Sequence, residues 1–347
     1  MKVLLTHEHF APDFAGGGEY VVLEIARHLI RRGMGVEVLT TGDPSVTGFE
    51  GIRTFRLPIH RYRLNFAARE IARRAQGTDL IQTFSYHAAL PSLVAGKWLG
   101  KPVVCMIMGL YNRVWREMRG PLLGRFFMAW ERFLLKQDFS RFIFLSSYSR
   151  IMGIEMGVSP SRSIVNSPGI EVDKYGPSPE KDDVVLFVGK LEVRKGIYDF
   201  LEVARALPDI FFRVMGWGTE EGLVRKIAPS NVEFVKFVRG QKLREAFGRA
   251  KIFFFPSKSE TFGLVLVEAM AAGCAIVSTI PLGFEGAVVR AGNREAMIQA
   301  ISRLSADPEE TSRIGRRNME LAKAYTWDRH TDLLLDIYAK VLQDSGR

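Results

Sequence analysis

Cysteine is scarce in this 347-residue chain. The two present, Cys105 and Cys274, sit inside the apolar stretches VVCMIM and AAGCAIVS. That excludes a disulfide framework, and both read as buried free thiols suited to a reducing cytosol. Long hydrophobic runs are also missing, since none reaches the ~18–20 residues that span a bilayer. The N-terminal MKVLL is short, with His7 and Glu8 close behind, and reads as a first β-strand in place of a signal peptide. Neither half opens on G-x-G-x-x-G, which disfavours an NAD-dependent Rossmann enzyme. No period of 20–50 residues repeats, so a solenoid is excluded.

What remains is an ordinary globular composition, 47% hydrophobic and 25% charged, with a net charge of +10. The length exceeds what a single core supports, so two domains are expected. Most of the positive excess falls in residues 1–180, in two foci. Arg53–Arg74 carries seven arginines against one glutamate, and Leu110–Lys136 six basic residues against two acidic ones. The second focus interleaves them with Trp115, Phe126, Phe127, Trp130 and Phe133. Such a segment suits either an anionic membrane surface or a core helix pair whose arginine stems reach to water. No nucleic-acid reader motif accompanies the charge, so no nucleic-acid partner is expected.

Short β-branched runs alternate with helical patterns through both halves. Strands are expected at Lys2–Leu5, Val36–Thr40, Asp79–Thr83, Pro102–Met106 and Arg141–Leu145, with a helix near Tyr20–Arg32. A turn-rich stretch at about 168–183 then breaks the rhythm, which resumes with the strand VVLFVG from Val184. The alternation predicts two doubly wound parallel α/β sheets, whose strand carboxyl ends would bind ligand in a cleft between them. The expected domains are residues 1–168 and 169–326, with an amphipathic helix over 327–347 that could cross back to the first.

Four segments carry chemistry. Gly16-Gly17-Gly18-Glu19 follows the first strand and opens a helix, where bare backbone N–H groups can approach an anion. Gly189-Lys190 through Arg194-Lys195-Gly196 clusters cations at the carboxyl end of a strand, an arrangement suited to diphosphate. Gly216-Trp217-Gly218 suggests close backbone approach to a ligand. The segment from Pro256 to Gly273 places Glu260 in a polar loop and Glu268 inside an apolar helix. A carboxylate there needs hydrogen-bond donors, from the protein or from a ribose diol.

The pair Glu260-x7-Glu268, with Phe262-Gly263 and Ala-Met-Ala-x-Gly, resembles the retaining glycosyltransferases of family 4 with the GT-B fold. The GGGE loop, the segment 189–196, the G-x-G at 216–218 and a closing T-W-D helix follow in the family's order. The likeness implies two Rossmann-like domains facing across a cleft, the first holding the acceptor and the second a nucleotide-sugar. It implies transfer of a sugar from a UDP-sugar, ahead of a GDP-sugar, to a sugar or lipid-linked acceptor. Carried over residue by residue, Glu260, Lys195 and Lys190 are catalytic. Glu268, Gly17, Gly18, Gly189, Arg194, Gly216, Phe237, Val238, Thr261, Phe262, Gly263 and Leu264 bind donor. His7, His9, Met108, Tyr111 and Arg113 are candidates for the acceptor side. Front-face attack in the family needs no protein nucleophile, and the absence of D-x-D agrees with its usual independence of a metal. No cofactor is expected beyond the nucleotide-sugar.

Departures from the family pattern fall mainly on the acceptor side. Met108 stands where the family has a cleft histidine, and Gln82 and Phe84 replace an H-x-H. Lys190 replaces an arginine, keeping charge but not the planar fork. Pro281 and Leu282 replace glycines, although Glu285 aligns. These changes keep a second reading open, a catalytically inactive nucleotide-sugar or partner-binding module. His28, His60, His87 and His330 read as structural or exposed. The expected setting is the cytoplasm, with peripheral attachment to an anionic membrane.

Overall fold

The structure is a computed structural model describing residues 1–13 and 16–346. Contacts divide the chain into two units. One comprises Met1–Leu110, Ala129–Gly169 and Trp327–Arg347, the other Tyr111–Met128 and Ile170–Thr326.

In chain order the first half forms β1 (Lys2–Thr6), α1 (Gly17–Arg31), β2 (Gly35–Thr41), β3 (Gly48–Phe49), β4 (Ile52–Leu57), α2 (Ala68–Ala75), β5 (Leu80–Phe84), α3 (Ala89–Leu99), β6 (Val103–Ile107), α4 (Val114–Arg119), α5 (Pro121–Leu135), β7 (Arg141–Phe144), α6 (Ser147–Glu155) and β8 (Ser163–Val165). The strands build one sheet ordered β3-β4-β2-β1-β5-β6-β7-β8. All neighbours pair in parallel except β3 and β4. Helices cover both faces of such a sheet, so its central strands are apolar throughout. Strands β5 and β6 are buried at every residue, Cys105 included. The order reverses between β1 and β5, where doubly wound sheets present ligand sites at the strand carboxyl ends.

The second half adds β9 (Asp182–Lys190), α7 (Ile197–Ala206), β10 (Phe211–Trp217), α8 (Glu221–Ile227), β11 (Val232–Lys236), α9 (Gln241–Arg249), β12 (Ala250–Phe255), α10 (Leu264–Ala271), β13 (Ala275–Ser278), β14 (Gly286–Val288), α11 (Arg294–Ala306), α12 (Pro308–Ala322) and α13 (Trp327–Asp344). Its sheet runs β11-β10-β9-β12-β13-β14, wholly parallel, with the reversal between β9 and β12. Phe200 is the hub of this core. It meets Phe187, Phe212 and Phe254 at centroid distances of 5.4, 5.4 and 5.6 Å, edge-on or stacked geometries that aromatic quadrupoles favour. Asn318 on α12 is fully buried, and its amide donates to the carbonyls of Cys274 and Glu285 while accepting the Glu285 N–H. Both cysteines are buried free thiols.

Helix α13 groups with the first unit, where Trp327 stacks on His28 of α1 and Arg32 pairs with Asp328 and Asp332. The basic stretch Tyr111–Met128, expected in the first domain, groups instead with the second unit. Two contacts explain it: the Arg194 guanidinium lies 5.9 Å from the Tyr111 ring, and Lys258 pairs with Glu117 at 2.9 Å. The boundary falls inside α5, whose length the sequence pattern alone could not divide.

Candidate active site

The richest chemistry lies in the second unit, at the carboxyl ends of β9 and β12. After Lys190 the chain makes a 3₁₀ turn over Val193–Lys195 and passes Gly196 in the left-handed region, φ 75°. A Cβ at Gly196 would sit 1.9 Å from the Pro256 carbonyl, so only glycine lets this turn approach the loop after β12. Backbone bonds stitch the two loops together, with Lys258 N–H donating to the Arg194 carbonyl at 2.8 Å and Ser257 Oγ joining it at 3.3 Å. The result brings Lys195 Nζ onto Glu260 Oε2, with side chains 14% and 17% exposed. Arg194 stands beside them, paired with Glu192 at 2.7 Å.

The electrostatics follow from that geometry. Burial pushes the Glu260 carboxyl up, but the Lys195 ammonium, Arg194 and the Thr261 N–H outweigh it and hold the group below the usual carboxylate range. Burial lowers Lys195, with Glu260 opposing. Lys190, at the tip of β9, forms no ion pair among the described residues. Three cations therefore fall within six residues of sequence, a concentration suited to the two charges of a diphosphate.

Glu268 lies on α10, capped at its N-terminus by Gly263 with φ 82°. Burial raises this carboxyl above its ordinary range, and one donor relieves it in part, the Tyr175 hydroxyl at 2.8 Å. Phe262 and Thr261 are buried in the loop that sets the start of the helix, Phe262 edge-on to Tyr325. Leu264 is the first helical residue. A concavity of about 360 Å³ lined by Gly176, Gln241, Arg244 and Arg249 contains neither glutamate.

Other residues singled out in the sequence separate by role. Phe237 packs against Trp217, centroids 4.2 Å apart, with Val238 next in the chain after β11. The glycines at 216 and 218 have a packing reason: a Cβ would sit 2.0 Å from the Gly189 carbonyl at one and 2.3 Å from the Leu191 carbonyl at the other. They permit a close approach of backbone to backbone, of β10 to β9 at Gly216 and of the loop after β10 to Leu191 at Gly218. Gly189 itself has room for a Cβ, with its nearest neighbour 3.7 Å away on Phe187.

In the first unit, Gly17 and Gly18 open α1, and a Cβ on Gly18 would touch the Met108 methyl at 3.7 Å. Met108 thus lies beside the glycine loop. His7 is buried against Phe84, its Nδ1 2.6 Å from the His9 carbonyl. Tyr111 and Arg113 belong to the second unit. Sequence reasoning missed Tyr175 and Trp217. The first sits in a turn-rich linker with no pattern of its own, while the second was visible as an aromatic held between two glycines. Among the described residues no group of three or more His, Cys, Asp or Glu is arranged to hold a metal.

Comparison with known proteins accounts for both units. A model described as Glycosyl transferases group 1 matches residues 171–320, and one described as Glycosyltransferase Family 4 matches residues 15–174. The D-inositol 3-phosphate glycosyltransferase of Mycobacterium leprae is 24% identical over 388 aligned positions, spanning 95% of this chain and 90% of the relative. O-antigen chain mannosyltransferase C of Escherichia coli is 23% identical over the whole of both chains. Among solved structures, sucrose-phosphate synthase from Thermosynechococcus elongatus superposes with a TM-score of 0.83 at 21% identity, covering 99% of each chain. Anabaena HepE in complex with UDP-glucose gives 0.77 at 18% identity, covering 98% of this chain and all of that one.

Proposed function

This chain belongs to the family 4-type glycosyltransferases of GT-B fold, and from that premise we propose that it moves a sugar from a nucleotide-diphosphate sugar, UDP before GDP, with retention at the anomeric carbon. The observation that carries the proposal is the cluster of Lys195, Arg194 and Glu260 at the carboxyl ends of β9 and β12, with the carboxyl of Glu268 on α10, the helix that follows Glu260 in the chain, all in the second unit. In this reading Lys190, Arg194 and Lys195 bind the diphosphate and stabilise the charge that grows on it as the glycosidic bond breaks. Preorganised cations aimed at developing charge are usually the largest catalytic term. Diphosphate oxygens would compete for Lys195, freeing Glu260 to accept hydrogen bonds from donor-sugar hydroxyls. Among the described residues Glu268 has one protein donor, with acceptor capacity to spare, which suits a ribose diol. Trp217 and Phe237 offer a ring surface for the base. No protein nucleophile, metal or further cofactor is required, since the leaving phosphate accepts the acceptor's proton.

The acceptor is assigned to the first unit, as a sugar or a lipid-linked sugar. Support for a lipid surface comes from α5. In its second-unit part Leu122, Leu123 and Phe126 are 81%, 50% and 61% exposed, with exposed Arg125 alongside. No helix among the described residues is long and apolar enough to cross a membrane, so the contact would be peripheral. Replacing all three apolar residues by serine should abolish sedimentation with phosphatidylglycerol vesicles and leave the melting temperature unchanged. Retained sedimentation would remove the membrane from the account. The donor assignment is tested by calorimetry with UDP, GDP and ADP. One of the first two should bind wild type and lose at least tenfold in affinity in Lys195→Ala; binding of none would overturn it.

A further inference from the structure

Four of the six histidines lie at or just beyond the carboxyl ends of strands in the first unit or in the loop His60–Phe66, and one carboxylate, Glu8, lies among them. Glu8 follows β1, and its carbonyl accepts the Thr41 hydroxyl from the end of β2 at 2.6 Å. His87 reaches it from the loop after β5, Nε2 to Oε2 at 3.5 Å. Arg61 reaches it from the 3₁₀ segment Arg61–Phe66, Nη1 to Oε1 at 3.6 Å. Tyr86 fixes the His87 loop by donating to the Gly109 carbonyl at 2.7 Å.

The two contacts to Glu8 are long. They lie within ion-pair range but at or beyond hydrogen-bonding distance. Among the described residues no group donates a hydrogen bond to the Glu8 carboxylate, although its side chain is only 19% exposed. A carboxylate this enclosed, with about four acceptor sites unused, has a strong demand for donors.

His87 is arranged to supply orientation. The Asn65 amide donates to its Nδ1 at 3.0 Å and to the Tyr62 carbonyl at 2.9 Å, which leaves the ring proton on Nε2, facing Glu8. Burial lowers the His87 pKa, with Arg61, His60 and His7 adding to the effect and Glu8 opposing it, so the ring is neutral near pH 7. Arg61 is fixed in turn over the Tyr62 ring at 5.1 Å. The carboxylate is thus flanked on both sides by donors that steer it without filling it.

We propose that Glu8 is the specificity-determining residue of an acceptor subsite, accepting from a vicinal hydroxyl pair of a sugar or cyclitol ring, with His87 and Arg61 as positioning residues. The idea rests on the glycosyltransferase reading for its role in the reaction, but not for its ligand. Two adjacent ring hydroxyls match the two carboxylate oxygens, and the Nε2–H and guanidinium beside them can donate back to the same hydroxyl oxygens.

Saturation-transfer NMR on the full chain tests it with glucose, mannose and myo-inositol at millimolar concentration, and with hexane-1,6-diol, which has no vicinal pair. At least one ring compound should bind wild type and the diol should not. Binding should fall roughly tenfold or more in Glu8→Gln, the loss of one charged hydrogen bond. His87→Ala should weaken it, and His87→Gln, which keeps an N–H donor, should recover part. Nucleotide binding, measured in the same samples, should be unchanged in all three. Absence of ring-compound binding by wild type, or equal binding in Glu8→Gln, overturns the subsite and leaves the donor reading standing. Ring binding that depends on Glu8 in a protein that takes no nucleotide supports the subsite and removes the donor reading.

Discussion

Glu268 keeps a carboxylate inside an apolar helix with a single donor among the described residues, Tyr175, and burial raises its pKa above the ordinary value. Glutamine is nearly isosteric, still accepts from Tyr175, and carries no charge to desolvate. Leaving a buried polar group short of partners costs roughly 1–3 kcal/mol. Because Glu268 is only partly enclosed, the lower part of that range applies. For a cooperative unit of 150–250 residues each kcal/mol moves the melting temperature by about 2–4 °C, so Glu268→Gln should melt several degrees above wild type at pH 7.5. The pH dependence fixes the cause. With the folded pKa above the unfolded one, the folded state holds the proton more tightly. The group therefore costs nothing below the unfolded pKa, and the penalty grows as pH rises through the folded pKa. The gap between variant and wild type should close on acidification toward pH 4.5. Calorimetric melting at several pH values reads this, and nucleotide titration of the same samples should show weaker binding by the more stable protein. Stability stored against function is common at binding carboxylates. A variant less stable than wild type at pH 7.5, or a gap that widens on acidification, would refute the reasoning.

Three further outcomes follow from the same geometry. Lys195→Ala and Glu260→Ala each strand a partly buried charge, so the double variant should be more stable than the summed single effects imply, with a coupling of roughly 0.5–3 kcal/mol in urea melts. Simple additivity would mean that the pair does not interact. Asn318→Ala removes three hydrogen bonds of a buried side chain that hold the Cys274 and Glu285 backbone to α12, and should cost about 3 kcal/mol in denaturant unfolding. Gly196→Ala combines a left-handed φ with a backbone clash at Pro256, and should lower nucleotide affinity as well as stability; unchanged binding would detach that turn from the site.

The sequence was most informative where function and fold use the same residues. The central strands declare themselves because a sheet covered on both faces demands unbroken apolar runs, as in VVCMI and IFFF. Glu268 stood out because a carboxylate in an apolar helix contradicts its surroundings. The edge strands β3 and β14 did not, since strands of two or three residues carry little pattern, and β4 beside β3 is interrupted by Arg53 and Arg56. The grouping of Tyr111–Met128 with the second unit depends on Arg194 and Lys258, residues far away in sequence. His87 read as isolated because Glu8 and Arg61 come to it from other strands' ends. The glycines at 216 and 218 suggested a ligand, and only the packed backbone shows their second reason, the close carbonyls of Gly189 and Leu191.

Product analysis tests the central claim most directly. The protein is incubated with its stabilising nucleotide-sugar and a panel of sugar acceptors, and the new linkage is read from the anomeric proton coupling by NMR. The account predicts a glycoside with the donor's own anomeric configuration, formed by wild type and lost in Glu260→Ala while nucleotide binding persists. An inverted product, or transfer undiminished by Glu260→Ala, would contradict it.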